Sequence, residues 1–112
     1  MILAILPPDH LNRVMDSLAE HHVRGLTVSE ASGFGQEHDT THPEHRQFFG
    51  IEHTRKIRLE IACRDEEVEE LVKAIYDAAH TGQRGNGKIF VLPVLDAMRV
   101  KTGERGDAAL GQ

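Results

Sequence analysis

The chain opens on ILAIL (2–6), apolar at every position, and Pro7 and Pro8 stop the run. A short strand with both faces buried reads this way. The period then changes. Leu11, Val14, Met15, Leu18 and Ala19 fall at i, i+3, i+4, i+7 and i+8, which predicts an amphipathic helix capped by Asp9 and ending near His21 and His22. After Gly25, LTVSEAS (26–32) is alternating and rich in β-branched residues, so a second strand is expected, ending at Gly33-Phe34-Gly35. KIRLEIAC (56–63) alternates cleanly, with Ile57, Leu59, Ile61 and Cys63 on one side and Lys56, Arg58 and Glu60 on the other. Asp65 is expected to cap a second helix. Glu66 and Glu67 suit its positive first turn, and Val68, Leu71, Val72, Ile75 and Ala79 form its apolar face. Gly82 fits a left-handed helix end, IFVLPV (89–94) reads as a fourth strand, and KTGERGDAALGQ is a polar tail.

The resulting order is β-α-β, long loop, β-α-β. It predicts an α+β fold of the ferredoxin-like class, an antiparallel sheet with two helices on one face. The other face then lacks cover. Because ILAIL is apolar on both sides, burial against copies of the same chain is the economical solution, and a small closed oligomer is expected. Residues 36–54 follow neither period, and four of the eight histidines lie there. A stretch of this length without periodicity points to a functional loop.

With 112 residues, 39% hydrophobic, the chain holds enough apolar material for one core, so a single domain over 1–112 is expected. Eighteen acidic residues against 13 basic ones give a net charge of -5, which supplies no global attraction for nucleic acid or anionic lipid. Any anion site must be local. Cys63 is the sole cysteine, which excludes an internal disulfide and fits a reducing compartment. MILAILPP has no basic flank and stops far short of a bilayer span, so a cytoplasmic chain with no direct membrane insertion is expected.

The chemistry gathers in TGQRGNGKIF (81–90). From Gly82 to Lys88 it fits G-x-x-x-x-G-K, yet Ile89 stands where a phosphate loop places the Ser or Thr that holds magnesium. The order is also helix, turn, strand, the reverse of a P-loop. Amides of Gly85, Asn86 and Gly87 can form an anion nest and Lys88 can add a charge, but nothing in the turn places a metal for phosphoryl transfer. The turn suits holding a phosphate ester without turning it over. Arg99 and Lys101, two apart on what reads as an extended segment, project to one side. No Ser-His-Asp set or paired carboxylates can be located, so no enzyme is expected.

Gly33-Phe34-Gly35 before the long loop, Thr81 to Phe90, and Arg99-Val100-Lys101-Thr102-Gly103-Glu104 together resemble the PII signalling proteins, in a match running from residue 1 to about 110 that includes GDAAL (106–110). The resemblance implies a homotrimer that binds an adenine nucleotide (ATP, ADP or AMP) in the clefts between subunits. It implies a T-loop over about 36–55 that docks on a membrane transporter or metabolic enzyme, a nucleotide turn over 81–88 and a C-terminal loop over 99–112. The nucleotide-binding residues it implies are Thr27, Gly33, Phe34, Gly35, Gly85, Asn86, Gly87, Lys88, Arg99 and Lys101, the last two from a neighbouring chain.

The chain departs from the nitrogen-sensing pattern at several of these positions. Relatives that bind 2-oxoglutarate use a glutamine where this chain has Glu37, and a carboxylate repels a dicarboxylate although it can ligate a cation. Gln36 replaces a common Arg or Lys, Phe49 a modifiable tyrosine and Gln47 a modifiable serine, and Pro7-Pro8-Asp9 replaces Lys-Pro-Phe. Lys56 is kept. A PII-like branch with a different effector is therefore expected, such as bicarbonate held by Lys56 and Arg58, with Glu37 nearby. The alternative is a metal-responsive or copper-tolerance-like protein, because the loop offers His38, Asp39, His42, Glu44, His45 and His53. Their spacing matches no zinc signature, and a solvated polar loop is the simpler reading, leaving His38, His42 and His45 as the metal candidates. His21, His22 and His80 read as helix-end residues. Phe48 and Phe49, adjacent aromatics in a polar loop, are expected to contact a protein partner.

Overall fold

The computed structural model of the chain describes residues 1–23, 25–35, 52–80 and 87–110. Four strands, β1 (Ile2–Leu6), β2 (Thr27–Gly35), β3 (Glu52–Ile61) and β4 (Lys88–Val91), form one sheet in the order β2-β3-β1-β4. Every neighbouring pair is antiparallel. Helices α1 (Leu11–Glu20) and α2 (Val68–Ala79) supply the crossovers and pack on each other. This is the ferredoxin-like arrangement expected from the order of elements.

The core lies between the helices and the two central strands. Ile2, Ala4 and Leu6 of β1 alternate with half-exposed Leu3 and Ile5, and Leu59 and Ile61 of β3 meet them in register through the pairs Ala4–Leu59 and Ile2–Ile61. Val14 and Leu18 of α1 and Leu71, Ile75 and Ala79 of α2 close this layer from above. The centres of the predicted helical stripes are thus buried, whereas Ala19, expected on the α1 stripe, is exposed, and Ala74 joins the buried face of α2. Each fully buried Leu or Ile contributes about 1.5–3 kcal/mol relative to exposure.

Both expected side-chain caps are replaced. Asp9 sits inside a 3-10 turn, Pro8–His10, led by Pro7, and neither that turn nor α1 carries a side-chain cap. Proline at the first position has a preset helical φ and no N–H to satisfy, so a carboxylate cap has less to do. Asp65 likewise begins a 3-10 turn, Asp65–Glu67, where Glu67 Oε1 accepts the Arg64 N–H at 3.1 Å. The histidines do end helices. His22 takes φ 63, the Val23 N–H returns to the Leu18 carbonyl at 3.1 Å, and His21 Nδ1 lies 2.8 Å from Glu70 Oε1 on α2. His80 follows α2 and sets its ring 4.7 Å from that of Tyr76.

The sheet differs from expectation at its edges. β2 and β3 stay paired past Ser32 through Gly33–Thr54, Phe34–His53 and Gly35–Glu52, so residues 52–55, expected as loop, are strand. The apolar signal is already weak along β2 before this ribbon, where Val28 and Glu30, on the helix side, are exposed. Backbone pairing needs no apolar face where there is no core. β4 ends at Val91, before Leu92-Pro93-Val94, since proline has no N–H to donate to a ladder. The Met1 and Leu92 main chains still exchange two hydrogen bonds, Leu92 N–H to Met1 O at 2.8 Å and the Met1 ammonium to Leu92 O at 2.7 Å.

Candidate functional site

Strand register decides which side chains share the face away from the helices. Ser29 of β2 pairs with Arg58 of β3, Arg58 with Ile5 of β1, and Ile5 with Lys88 of β4, so these four form one row across the sheet. The next row is Thr27, Glu60, Leu3 and Phe90. Toward the ribbon come Ala31 with Lys56 and Gly33 with Thr54. Neighbouring strands lie about 4.8 Å apart, so Arg58 and Lys88 stand about 10 Å from each other, one strand intervening. The structure thus brings Thr27, Gly33, Lys56, Arg58 and Lys88 to one surface.

Gly87 shapes the entry to β4. It adopts φ +104, and a Cβ there would lie 1.9 Å from the Ile5 carbonyl oxygen. Only glycine permits this approach, which lets β4 begin at Lys88 beside Ile5. The glycine before the lysine therefore has a packing reason. At Gly33 a Cβ would sit 3.3 Å from both Lys56 Cγ and Thr54 Oγ1, so the bare glycine gives the Lys56 stem a bed. Lys56 is accordingly 9% exposed, although it lies on the uncovered face. Arg58 is exposed and donates from Nε to Glu60 Oε1 at 2.9 Å.

Arg99 and Lys101 lie on a different device. Met98 and Arg105 form an antiparallel bridge, the Arg99 N–H reaches the Glu104 carbonyl at 2.8 Å, and the Gly103 N–H reaches the Arg99 carbonyl at 2.7 Å. The segment expected to be extended is therefore a small hairpin, with Lys101 in its turn and Gly103 at φ +78. The local signal was Lys-Thr-Gly-Glu. Thr102 Oγ1 donates to Glu104 Oε1 at 2.9 Å and accepts the Glu104 N–H at 3.2 Å, which favours a turn over an extended run. Phe34 and Gly35 stand in β2. Gly85, Asn86, Glu37, Phe48, Phe49, His38, His42 and His45 lie outside the described residues.

Residue-type reasoning passed over Glu60, which answers Arg58 two positions along the same strand, and the apolar members Leu3, Ile5 and Phe90. Alternation in KIRLEI placed Glu60 on this face, but that Phe90 joins it follows from the pairing of β4 with β1. Also unforeseen is the ion pair of Asp96 with Arg105 at the hairpin base. Cys63 is half-buried beside the core, and its thiol pKa is raised. Burial is the main cause, the N-terminal ammonium pulls the other way, and the carboxylates of Glu67 and Asp65 add to the rise. Among the described residues no cluster of three or more His, Cys, Asp or Glu could hold a metal ion, and no helix is long and apolar enough to cross a membrane.

Comparison with known proteins gives the family to which this sheet and hairpin belong. Residues 1–104 match the family model described as nitrogen regulatory protein P-II, and the chain belongs to this family of signalling proteins. It is 39% identical over 109 residues to a nitrogen regulatory protein P-II of Azospirillum brasilense, covering 97% of each chain. It is also 39% identical over 107 residues to a P-II homolog of Arabidopsis thaliana, covering 95% of this chain and 55% of that longer protein. The solved structure of Arabidopsis thaliana PII bound to citrate superposes with a TM-score of 0.78 at 37% identity, over 96% of this chain and 88% of that one.

Proposed function

We propose that the chain is a trimeric, cytoplasmic PII-type regulator that binds an adenine nucleotide between subunits and takes a small anion such as bicarbonate as second effector. Its output is contact between the loop over about 36–55 and a transporter or metabolic enzyme. The observation that carries this reading is the grouping of Lys88, next to left-handed Gly87, with Arg58, Lys56, Thr27 and Gly33 on one uncovered face. Anions gain most where several cations and free amides converge at a surface that a second subunit desolvates. Leu3, Ile5 and Phe90 between the charges supply apolar area for that subunit and for a nucleobase. The citrate held by the plant relative is itself a polyanion, in keeping with such a surface.

The family's dicarboxylate chemistry does not transfer whole. Glu37 and the loss of a lysine at Pro7 disfavour 2-oxoglutarate, and bicarbonate needs only one or two cations and a few N–H groups. Calorimetry with ATP, ADP and AMP, with and without bicarbonate, tests the proposal. Binding at micromolar levels, weakened about tenfold or more by Lys88→Ala, is expected, since a charge-assisted phosphate contact is worth about 1.5–3 kcal/mol. Absence of binding for all three nucleotides at millimolar concentration would overturn it. Tighter nucleotide binding with 2-oxoglutarate and none with bicarbonate would overturn the choice of effector.

A further inference from the structure

We infer that Asp96 and Arg105 are positioning residues, whose ion pair holds the hairpin carrying Arg99 and Lys101 in the geometry that meets a polyphosphate; this rests on the nucleotide reading above. The carboxylate of Asp96 serves both arms of the hairpin. Its Oδ1 accepts the Ala97 N–H at 2.9 Å, and its Oδ2 accepts Arg105 Nε at 2.9 Å and Arg105 Nη2 as well. It acts just outside the last paired rung, where the Gly106 N–H meets the Ala97 carbonyl at 3.0 Å.

The surroundings explain why a surface ion pair matters here. From Leu92 to Ala108 every residue except Ala97 and Arg99 is exposed, so the hairpin has little of its own chain beneath it. Backbone pairing, the Thr102–Glu104 contact and this clamp are among the contacts that shape it. An exposed pair of this kind adds little to the stability of the whole fold. Its consequence is local: it limits the conformations the two cations must give up when a ligand arrives, and such preorganisation shows up in affinity.

Two effects of removing the Asp96 charge have opposite signs, which makes the inference testable. If Asp96 acted only through its charge, Asp96→Asn would leave a more positive hairpin and tighten binding of an anion. If it acts as a clamp, the same change loosens the hairpin and weakens binding. The experiment is calorimetric titration of the full-length protein with ADP at low salt, alongside amide exchange at Arg99 and Gly103. For Asp96→Asn and Arg105→Gln we expect ADP affinity to fall about three- to tenfold, with faster exchange at both amides and an unchanged melting temperature. The double swap Asp96→Arg with Arg105→Asp keeps the net charge and restores a pair, and should return affinity to within about twofold of the parent. Unchanged or tighter binding in Asp96→Asn, or no recovery in the swap, overturns the clamp. Lys88→Ala separates the two ideas: if it weakens ADP binding and Asp96→Asn does not, only the clamp falls, whereas if Lys88→Ala has no effect the nucleotide reading falls and the clamp with it.

Discussion

On the helix side of the sheet Ile2, Ala4, Leu6, Leu59 and Ile61 are each no more than 2% exposed, while on the opposite side of the same strands Leu3 and Ile5 are half-buried and Arg58 and Phe90 exposed. The strands alternate by one rule on both sides, so backbone geometry does not separate them. Composition and cover do. The centre of the helix side, formed by Ile2, Ala4, Leu6, Leu59 and Ile61, is apolar and finishes its burial within one chain, whereas the far side mixes Leu3, Ile5 and Phe90 with Lys56, Arg58, Glu60 and Lys88. A face of the first kind specifies the fold. One of the second kind is not fully buried by its own chain, because Leu3 and Ile5 stay half-exposed and Phe90 exposed there. It is where ligand and neighbouring subunit are expected.

That contrast can be tested at both faces. The largest loss of stability is expected at the centre of the helix side, where Leu59→Ala should cost about 2–5 kcal/mol by denaturant unfolding, because the helices above cannot fully collapse into the cavity. Gly87→Ala should come next, with a loss of about 2 kcal/mol or more, since the added methyl meets the Ile5 carbonyl and φ +104 is strained for alanine. Faster amide exchange in β1 and β4 would locate that damage, and normal exchange there would refute the steric account. On the far side, Phe90→Ser should leave unfolding of the chain within about 0.5 kcal/mol of the parent and raise the subunit dissociation constant about tenfold or more by sedimentation. A stability loss matching that of Leu59→Ala would mean that the two faces do not differ as described.

The smallest effect concerns Cys63, at the margin of the covered side. Its folded pKa is raised, chiefly by burial, so the folded protein holds the thiol proton more tightly than the unfolded chain. The contribution to stability is therefore complete below the ordinary thiol pKa of about 8.5 and fades as pH climbs through the folded value. Iodoacetamide alkylation should accelerate at a higher pH in the folded protein than in urea. Coincident profiles would contradict the burial of the thiol.

Much of the fold was legible because the core-facing residues of α1, α2, β1 and β3 recur at the periods of helix and strand. Legibility fell where that driving force falls. The ribbon beyond Ser32 and Arg55 pairs through its backbone with little apolar signal, and the hairpin around Lys101 is set by local hydrogen bonds of Thr102 and Glu104. At the site, alternation put Lys56, Arg58 and Glu60 together, and the glycine-lysine pair marked Gly87 and Lys88. The partnerships of Arg58 with Glu60 and of Asp96 with Arg105 were not visible in the pattern, because exposed ion pairs leave no period behind.

By itself the sequence determined the four strands and two helices, the core side of α1, α2 and β3, and the family to which the chain belongs, since these depend on spacings of a few residues along the chain. Tertiary structure decided what those spacings could not. Ser29, Arg58, Ile5 and Lys88 come from four separate strands and share a row only because interstrand hydrogen bonds fix the register, and a slip of one residue in any strand would send its member to the other face.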